Sequence, residues 1–567
     1  MGIYTEKPIS RWWGVLILLV VFLAVHEPWL LGMRELFRQE GFYAVQAAEF
    51  QPSSTLVTAH GVAVQDAFPL YPALSGLLMR GCGIPVEIAL RAVSLLMLAA
   101  GAVLTYFAAA SERSCRAGLV AAGMYISTFL VLEKAGDGTP ATCNAFFLLA
   151  AQLLFFQYGI RRTNWNAAWI SSLALLGFGF FSGGFRVLLY FVFPMVFSRR
   201  PLSVKSKFRK PGFAVGVALV AICILAWCIP YLGMMHRIPL FHIRFEDFSF
   251  YSWLKEVALF PLMLPLRLLP WSLIAWIPFC VALQALDSTP ILSRYLRTLV
   301  FASLALLWLL PDGNPTELLY LLGPLSILVG INYELGMRRY GFKVRKALVL
   351  CGYFTVIAAL SIVLVCFVPQ EWVAPFLSVS KSLDFAGSNG YRLMAAVAAL
   401  LLFGIAWSLH RGRQVKPVWL MLLATSAAAG IFCGAVLTPY RAQADDKREF
   451  GAVFRKALRG EPATKLYKGN ILDLYGELCY VALPVVKIQE LDELPLNDRV
   501  VYLVDTEFPQ YPERSWSNLL PPDFRYRGHR ICIWKGVLRQ PEGEENGSGT
   551  ISSAPAAATS PAVKASN

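Results

Sequence analysis

The sequence predicts a polytopic α-helical membrane protein with about 13 transmembrane helices and a small C-terminal α/β extracytoplasmic domain. Three observations lead to this prediction. Hydrophobic residues make up 57% of the 567 residues and charged residues only 15%, far less charge than soluble proteins of this size carry. Apolar runs of about 20 residues, enough to cross a bilayer, recur from Trp12 to Thr438. A charged segment with mixed helix and strand patterns then follows from Lys447 to Leu538.

The first apolar run extends from about Trp12 to Leu31 and follows Lys7 and Arg11. It is longer than the apolar core of a signal peptide, and residues 26–28 (HEP) lie near its end instead of a small-residue cleavage site. We therefore expect a retained first transmembrane helix.

Basic residues cluster in short loops between the apolar runs. The net charge of +15 therefore indicates cytoplasmic loops beside anionic lipid, not nucleic-acid binding. If all these loops are cytoplasmic, two spans separate each from the next, with the N-terminus inside and the C-terminus outside. The basic loops lie at Arg113/Arg116, Arg161/Arg162, 199–210, Arg294/Arg297, 338–346 and 410–416, and the further spans are expected at 83–110, 117–133, 141–160, 165–182, 184–198, 212–234, 257–284, 298–312, 316–333, 347–368, 391–409 and 417–438.

This topology divides the chain into three parts. Residues 1–440 form the transmembrane domain, with a first extracytoplasmic loop at 32–82. Residues 441–540 are predicted as the extracytoplasmic α/β domain, and residues 541–567, rich in Gly, Ser, Ala and Pro, as a disordered tail.

The 11 cysteines form no C-x-x-C pair and no metal-ligand spacing. Only Cys479 and Cys532 lie in the α/β domain. They either form a disulfide in an oxidising compartment or are buried thiols within apolar runs.

Two segments of the first outer loop place acids next to the membrane, residues 38–44 (RQEGFYA) and 65–72 (QDAFPLYP). A carboxylate at this depth is costly unless a base, a metal or water satisfies it. Arg38 and Glu40 can share an interfacial helix that directs one carboxylate into a cavity between spans, where loss of water raises its basicity. The alternative is a solvated loop whose charges have no role.

Asp137 lies on the same side, at the outer end of a span, in the segment 133–138 (EKAGDG). It is a second candidate for acid–base chemistry. The alternative is an N-cap of the following helix, because Asp137 and Thr139 come just before Pro140, and the two roles are compatible.

The loop 236–247 (HRIPLFHIRFED) concentrates two His, two Arg and two acids. Arginines suit phosphate oxygens through paired donors, and His with Asp or Glu can hold a divalent ion. The alternative is a solvated loop in which acids and arginines pair.

These segments resemble the motifs of the polyprenyl-phosphate-sugar glycosyltransferases of the GT-C class, especially the lipid A aminoarabinose transferase and protein O-mannosyltransferase family. That family opens its first loop with Arg-Asp-Glu-x-x-Tyr-Ala, which resembles residues 38–44, and continues with Glu-Lys-Pro-Pro-Leu-x-x-x-Leu, which resembles 66–74 (DAFPLYPAL). A second family Asp matches Asp137. The family's Gly-x-x-Pro-Trp-Ser resembles 267–272 (RLLPWS), and its Lys-x-Pro-Thr-Tyr-Leu-Leu resembles 313–319 (GNPTELL).

The chain also departs from the family pattern. Gln39 stands in place of the first-loop Asp, and Asp66 in place of the metal-side Glu. Three family lysines near the donor phosphate correspond to Ala67, Gly183 and Gly313. Basic contacts to a phosphate must then come from Arg38, Lys134, Arg186, Arg237, Arg244 or Arg267.

The resemblance implies a glycosyltransferase that moves a sugar from an undecaprenyl-phosphate carrier to an acceptor on the outer face of the inner membrane. The acceptor is lipid A, a protein or another glycan. A carboxylate deprotonates or orients the acceptor while arginines, with a divalent ion as a further candidate, neutralise the leaving polyprenyl phosphate. The expected base is Glu40, with Asp137 second; the expected metal ligands are Asp66 and His242; the expected phosphate contacts are Arg38, Lys134, Arg237, Arg244 and Arg267.

The alternative to an enzyme is a protein without catalytic function. It would be a transporter or flippase of lipid-linked sugars, or an inactive homologue that binds lipid. Transporters often show paired repeats and ionisable residues within their spans. The predicted spans are nearly free of charge and the sequence shows no repeat, which favours the enzyme.

Overall fold

Long apolar helices form the first three quarters of the chain. Many large apolar side chains on them, such as Leu23, Ile222 and Leu400, stay exposed, as expected for helices surrounded by hydrocarbon. The computed structural model describes residues 10–31, 34–64, 67–134, 136–198, 204–235, 249–310, 315–367, 389–411, 417–438, 441, 446–469, 473–495 and 498–539.

The helices begin where the sequence provides suitable caps. Ser114 and Asn164 precede α5 and α8, and their side-chain oxygens accept hydrogen bonds from the N–H groups of Ala117 and Ala167 at 3.2 and 3.1 Å. The helices are α1 (Arg11–Leu31), α2 (Glu40–Glu49), α3 (Leu70–Cys82), α4 (Val86–Glu112), α5 (Cys115–Ser127), α6 (Phe129–Lys134), α7 (Ala141–Leu154, continued by a π-helix at Phe155–Arg161), α8 (Trp165–Val196), α9 (Pro211–Met235), α10 (Phe250–Arg267), α11 (Ser272–Ala275), α12 (Val281–Gln284), α13 (Pro290–Leu309), α14 (Leu318–Phe367), α15 (Asn389–Arg411) and α16 (Val418–Phe432, continued by a π-helix at Cys433–Leu437); a hairpin of β1 (Thr58–Ala59) and β2 (Val62–Ala63) lies between α2 and α3.

Within the described ranges, seven helices are long and apolar enough to cross a membrane, or eight if the bent pair Phe250–Arg267 and Ser272–Phe279 is one span. The apolar helices Arg11–His26 and Val418–Phe432 are shorter. A polytopic membrane protein is therefore confirmed. The count of 13 spans and their orientation stay a prediction.

Two pairs of predicted spans are not separated by loops in the structure. The spans expected at 165–182 and 184–198 lie within α8 as two helical segments that meet at a kink at Gly184 (φ 62°, ψ −149°). Only glycine adopts such a backbone without strain, and the Phe68 ring fills the space where a side chain would stand. The spans expected at 316–333 and 347–368 are parts of the 50-residue helix α14, because the basic stretch between them consists largely of residues compatible with a helix.

Other predicted spans are interrupted. The one at 257–284 is divided between α10 and the short helices that follow it, and Pro270, which has no backbone N–H, lies in the break. The one at 117–133 is divided into α5 and α6 by Thr128, which has an extended backbone.

The C-terminal region combines helices with a mixed five-stranded sheet in the order β4-β3-β5-β9-β6. Strand β3 pairs in parallel with β4 and β5, and β9 pairs antiparallel with β5 and β6. Most of β5 is buried, as expected for a central strand covered on both faces. The elements are α17 (Lys447–Ala457), α18 (Tyr475–Cys479), β3 (Leu466–Lys468), β4 (Val485–Lys487), β5 (Val500–Asp505), β6 (Arg514–Asn518), β7 (Arg525–Tyr526), β8 (His529–Arg530) and β9 (Cys532–Leu538).

The α/β elements expected between 441 and 540 are thus present, while the boundary of an independent domain stays a prediction. Cys479 and Cys532 are free thiols that pack in different hydrophobic clusters, so they do not form a disulfide in this structure.

The C-terminal region is attached to the first loop through Glu35. Its Oε2 accepts the backbone N–H groups of Lys447 and Arg448 at 2.9 and 3.2 Å, so a residue far away in sequence caps helix α17. Lys447 Nζ also donates to the Leu36 carbonyl at 2.8 Å, and the Leu36 N–H donates to the Tyr480 hydroxyl at 2.9 Å. These bonds place α2, which follows Leu36, directly against the α/β region.

Replacing Glu35 with alanine is expected to loosen this attachment. A lost cap costs about 1 kcal/mol, or roughly fivefold in the population of an undocked region. Limited proteolysis with trypsin should show faster cleavage at Lys447 and Arg448 in Glu35→Ala than in the wild type. Glu513→Ala, which changes an exposed carboxylate bonded to Tyr511, is the control. Equal cleavage of Glu35→Ala and wild type would contradict the capping role.

Candidate active site

One cavity of about 540 Å³ brings together most of the motif segments found in the sequence. It lies between the start of α2, the segment after Asp66, the loop before α7, the break in α8 and the start of α14. Its lining includes Arg38, Gln39, Glu40, Phe42, Tyr43, Gln46, Ala67, Phe68, Lys134, Asp137, Asn144, Ser182, Gly183, Arg186, Thr316, Glu317 and Tyr320.

Glu40 is the most constrained carboxylate of this cavity, with only 1% of the residue exposed. Its Oε1 accepts hydrogen bonds from Arg34 Nη2 at 2.8 Å, from Arg91 Nε at 3.1 Å and from the Gly138 backbone N–H at 2.9 Å. Its Oε2 accepts from Arg91 Nη2 and from the Phe37 N–H, both at 2.9 Å. Five donors on a group with about four lone-pair sites leave it no free acceptor position.

The two arginines also set the charge state of Glu40. Burial raises the pKa of a carboxyl, but here Arg34 and Arg91 outweigh burial and lower the pKa of Glu40 to about 2. Glu40 is therefore a fixed anion at neutral pH. This geometry does not favour the role of general base that was expected first for it, because a base near neutral pH needs a higher pKa and an accessible oxygen.

Asp137 has the opposite properties. It is 7% exposed, lines the cavity and makes longer contacts, 3.4 Å from Oδ1 to Arg34 Nη2 and 3.6 Å from Oδ2 to Arg38 Nη1. Burial, together with the charge of Glu40, raises the pKa of Asp137 to about 6, against the opposing effect of Arg34. The residue before α7 is Pro140, and no side chain caps that helix, so the capping alternative for Asp137 has no support in the structure.

Arg34 connects the two acids. The same Nη2 atom that donates to Glu40 also donates to the Gly136 carbonyl at 2.9 Å and faces Asp137. Glu40 thereby fixes the position of the Arg34 guanidinium, which in turn bonds to the loop that carries Asp137. The permanently ionised Glu40 thus orients Asp137, whose carboxyl can titrate.

Cations stand at the rim of the cavity beside Asp137. The Arg38 side chain is 40% exposed and lies 3.8 Å from Glu133, and Lys134 lies 3.2 Å from the same carboxylate. Arg38 has a positive φ of 51°, an uncommon conformation for a residue with a side chain and one that often marks functional sites.

The opposite wall carries a third cation. Arg186, two residues after the break in α8, pairs with Glu317, whose Oε2 also accepts from the Tyr190 hydroxyl at 2.8 Å. Arg186 and Glu317 both line the cavity. The motif around 313–319 therefore contributes Glu317, whose carboxylate fixes the position of Arg186.

The other expected site residues are not brought to this cavity by the described part of the chain. Arg267 ends α10 and lines a different cavity, with Trp253 and Glu256. Asp66, Arg237, His242 and Arg244 lie outside the described residues.

The metal expectation therefore remains a prediction. Among the residues that the structure describes, no group of three or more His, Cys, Asp or Glu side chains is arranged to hold a metal ion. The three carboxylates that line the cavity, Glu40, Asp137 and Glu317, each face an arginine, whereas a divalent cation needs oxygens free of cationic partners.

Sequence reasoning missed Arg91 and gave Arg34 no role. The available signal for Arg91 was a single charge inside an apolar helical run, which by default indicates a partner or a function. Its partner, 51 residues away, could not be read from the sequence.

The arrangement of membrane helices, first loop and C-terminal α/β region is similar to that of a solved structure, so the resemblance seen in the motifs is confirmed at the level of the fold. The crystal structure of ArnT from Cupriavidus metallidurans bound to undecaprenyl phosphate matches with a TM-score of 0.64 and 16% identity, over 93% of this chain and 98% of that one. The apo state of the same protein gives the same values.

The Archaeoglobus fulgidus oligosaccharyltransferase in its apo form matches over 87% of this chain and 66% of its own, with 10% identity and a TM-score of 0.46. No protein-family model matches the chain, and no curated protein matches its sequence.

Proposed function

We propose that the protein is a membrane glycosyltransferase that moves a sugar from an undecaprenyl-phosphate carrier to an acceptor on the outer face of the inner membrane. The observation that carries this proposal is Asp137, a buried carboxyl with a pKa near 6 that faces a cavity rimmed by Arg38 and Lys134. A group that can take a proton and cations that can stabilise a phosphate stand within one cavity. ArnT, which shares the fold, was crystallised with undecaprenyl phosphate.

The transfer follows from this arrangement. The acceptor hydroxyl oxygen bonds to the anomeric carbon of the sugar while the bond from that carbon to the phosphate oxygen breaks. The acceptor proton passes to Asp137, and the electron pair of the broken bond leaves on the polyprenyl phosphate. Arg38, Lys134 and Arg186 stabilise the negative charge that develops on that phosphate.

Glu40 has a different role in this proposal. It is a positioning residue that acts through Arg34 on the Asp137 loop. Arg237, Arg244 and Arg267 remain candidates for contacts to the carrier. Asp66 and His242 remain the predicted ligands of a divalent ion, and the proposal assigns no step to that ion.

The test begins with the glycolipids of a deletion strain, because loss of a transferase leaves the acceptor unmodified and the donor accumulated. A mass profile then identifies both. Purified protein in proteoliposomes, supplied with that donor and acceptor, should cleave the carrier and glycosylate lipid A, a protein or another glycan. A carrier that crosses the bilayer intact would favour the transporter, and binding without cleavage or transport would favour an inactive homologue.

Replacing Arg38 with alanine is expected to raise the KM for the donor about tenfold with a smaller change in kcat. The arginine is partly exposed, so its charge-assisted bond to a phosphate is expected at the lower end of the usual range. The control is Arg80→Ala, because Arg80 is an exposed arginine that bonds to the Ala48 carbonyl and does not line the cavity. An unchanged KM in Arg38→Ala would remove Arg38 from the phosphate site.

A further inference from the structure

The inner wall of the cavity contains an amide without hydrogen-bond partners. Gln46 lies on the buried face of α2, is 1% exposed and lines the cavity, yet neither its Oε1 nor its Nε2 has a partner. An unsatisfied buried amide costs about 1–3 kcal/mol for each group, so such a residue usually indicates a missing ligand or water.

Two further polar groups line the same cavity. Asn144 Oδ1 is buried and has no hydrogen-bond partner, and the buried Ser182 hydroxyl bonds to Cys143, which leaves its other hydrogen-bonding positions for a ligand. Gly183 makes room for the amide of Asn144, because a Cβ added to Gly183 would lie 2.5 Å from Asn144 Cγ.

The chemistry of these atoms selects the ligand. Amides and hydroxyls offer both donors and acceptors without charge, which complements sugar hydroxyls, since each of these also donates and accepts. A phosphate would use the cations at the rim, and an apolar polyprenyl chain would leave the polar atoms unsatisfied.

We propose that Gln46, Asn144 and Ser182 form the subsite for the sugar of the donor, and that this sugar is uncharged and bound through its hydroxyl groups. The inference rests on the proposed function because the same cavity receives the carrier phosphate. It goes further in naming the class of sugar and the residues that select it.

The experiment measures binding and needs no turnover. Purified full-length protein in nanodiscs is titrated with undecaprenyl phosphate and with its glucosyl, mannosyl and galactosyl derivatives. At least one sugar-bearing carrier is expected to bind about tenfold more tightly than the bare carrier, as two neutral hydrogen bonds would give. Gln46→Met should abolish this difference and leave the affinity for the bare carrier unchanged.

The chain offers a matched control in Gln152. Its side-chain amide is also buried and unpartnered, but it lies in α7 and does not line the cavity. Gln152→Met should keep the preference for the sugar-bearing carrier. Gln46→Met should not lower the melting temperature of the free protein, since it removes an unsatisfied amide, whereas a purely structural role for Gln46 predicts a lower one.

The outcomes separate this inference from the proposed function. Equal binding of all four carriers, or an equal loss of affinity for bare and sugar-bearing carriers in Gln46→Met, overturns the subsite even if transfer occurs. Tighter binding of a sugar-bearing carrier in a protein that never transfers supports the subsite and contradicts the enzyme. Failure to bind any carrier overturns both.

Discussion

Replacing Asp137 with asparagine is expected to lower the rate of sugar transfer by about 10²–10⁴-fold, the usual effect of losing a general base. The substitution keeps the volume and one oxygen but removes the group that takes the acceptor proton. Carrier binding should change little, because the rim cations remain. The measurement is single-turnover transfer from the donor identified in the deletion strain.

The pH dependence provides a second test of the same residue. A base acts in its deprotonated form, so activity should fall as the pH is lowered through about 6, the pKa of Asp137. The charged groups that face Asp137 are Arg34, Arg38, Glu40 and Lys134. Glu40, with a pKa of about 2, stays ionised over this range, so it does not produce the decline. The residual activity of Asp137→Asn should not show this fall near pH 6.

A matched control is Asp505→Asn in the α/β region. Burial also raises the pKa of Asp505, but this residue lies outside the cavity, so its amide variant should keep both the rate and the pH profile. Full turnover of Asp137→Asn would show that Asp137 is not the base.

The sequence contained enough information to predict the fold class and part of the site. Hydrophobic runs of bilayer length predict membrane helices directly, since a helix satisfies all its backbone hydrogen bonds within its own segment. Residues 38–44 and Asp137 stood out because acids beside apolar runs need a physical reason. The structure places Glu40 and Asp137 at the same cavity, although nearly 100 residues separate them.

The roles of these two acids could not be predicted in the same way. A carboxylate is a base or a fixed anion according to its partners, and the partners of Glu40 come from a loop and from helix α4. The number of spans is hard to read from the sequence for a related reason. Hydropathy does not reveal whether two apolar runs are joined by a turn or by continuing helix, as they are in α14.

Replacing Glu40 with glutamine is expected to lower the free energy of unfolding by about 3–5 kcal/mol, because it leaves Arg34 and Arg91 buried without their anion. Transfer should also fall, since Arg34 no longer holds the Asp137 loop. The measurement is unfolding in a membrane mimetic, combined with the transfer assay. An exposed ion pair supplies the control, and Glu112→Gln, which breaks the contact to Arg161, should cost less than about 1 kcal/mol.

A double variant distinguishes the two roles considered for Glu40. If Glu40 compensates buried arginines, adding Arg91→Met to Glu40→Gln removes one uncompensated charge and should recover part of the lost stability. The residual transfer of the double variant should still decline as the pH falls, because Asp137 is intact, but the decline should lie at lower pH than in the wild type, since the Glu40 charge that raises the pKa of Asp137 is gone. If Glu40 were instead the general base, a different combination is expected. Glu40→Gln would then be as stable as the wild type but would lose transfer, and adding Arg91→Met would change neither property. Stability and pH profile together therefore decide whether Glu40 takes the proton or holds the residue that does.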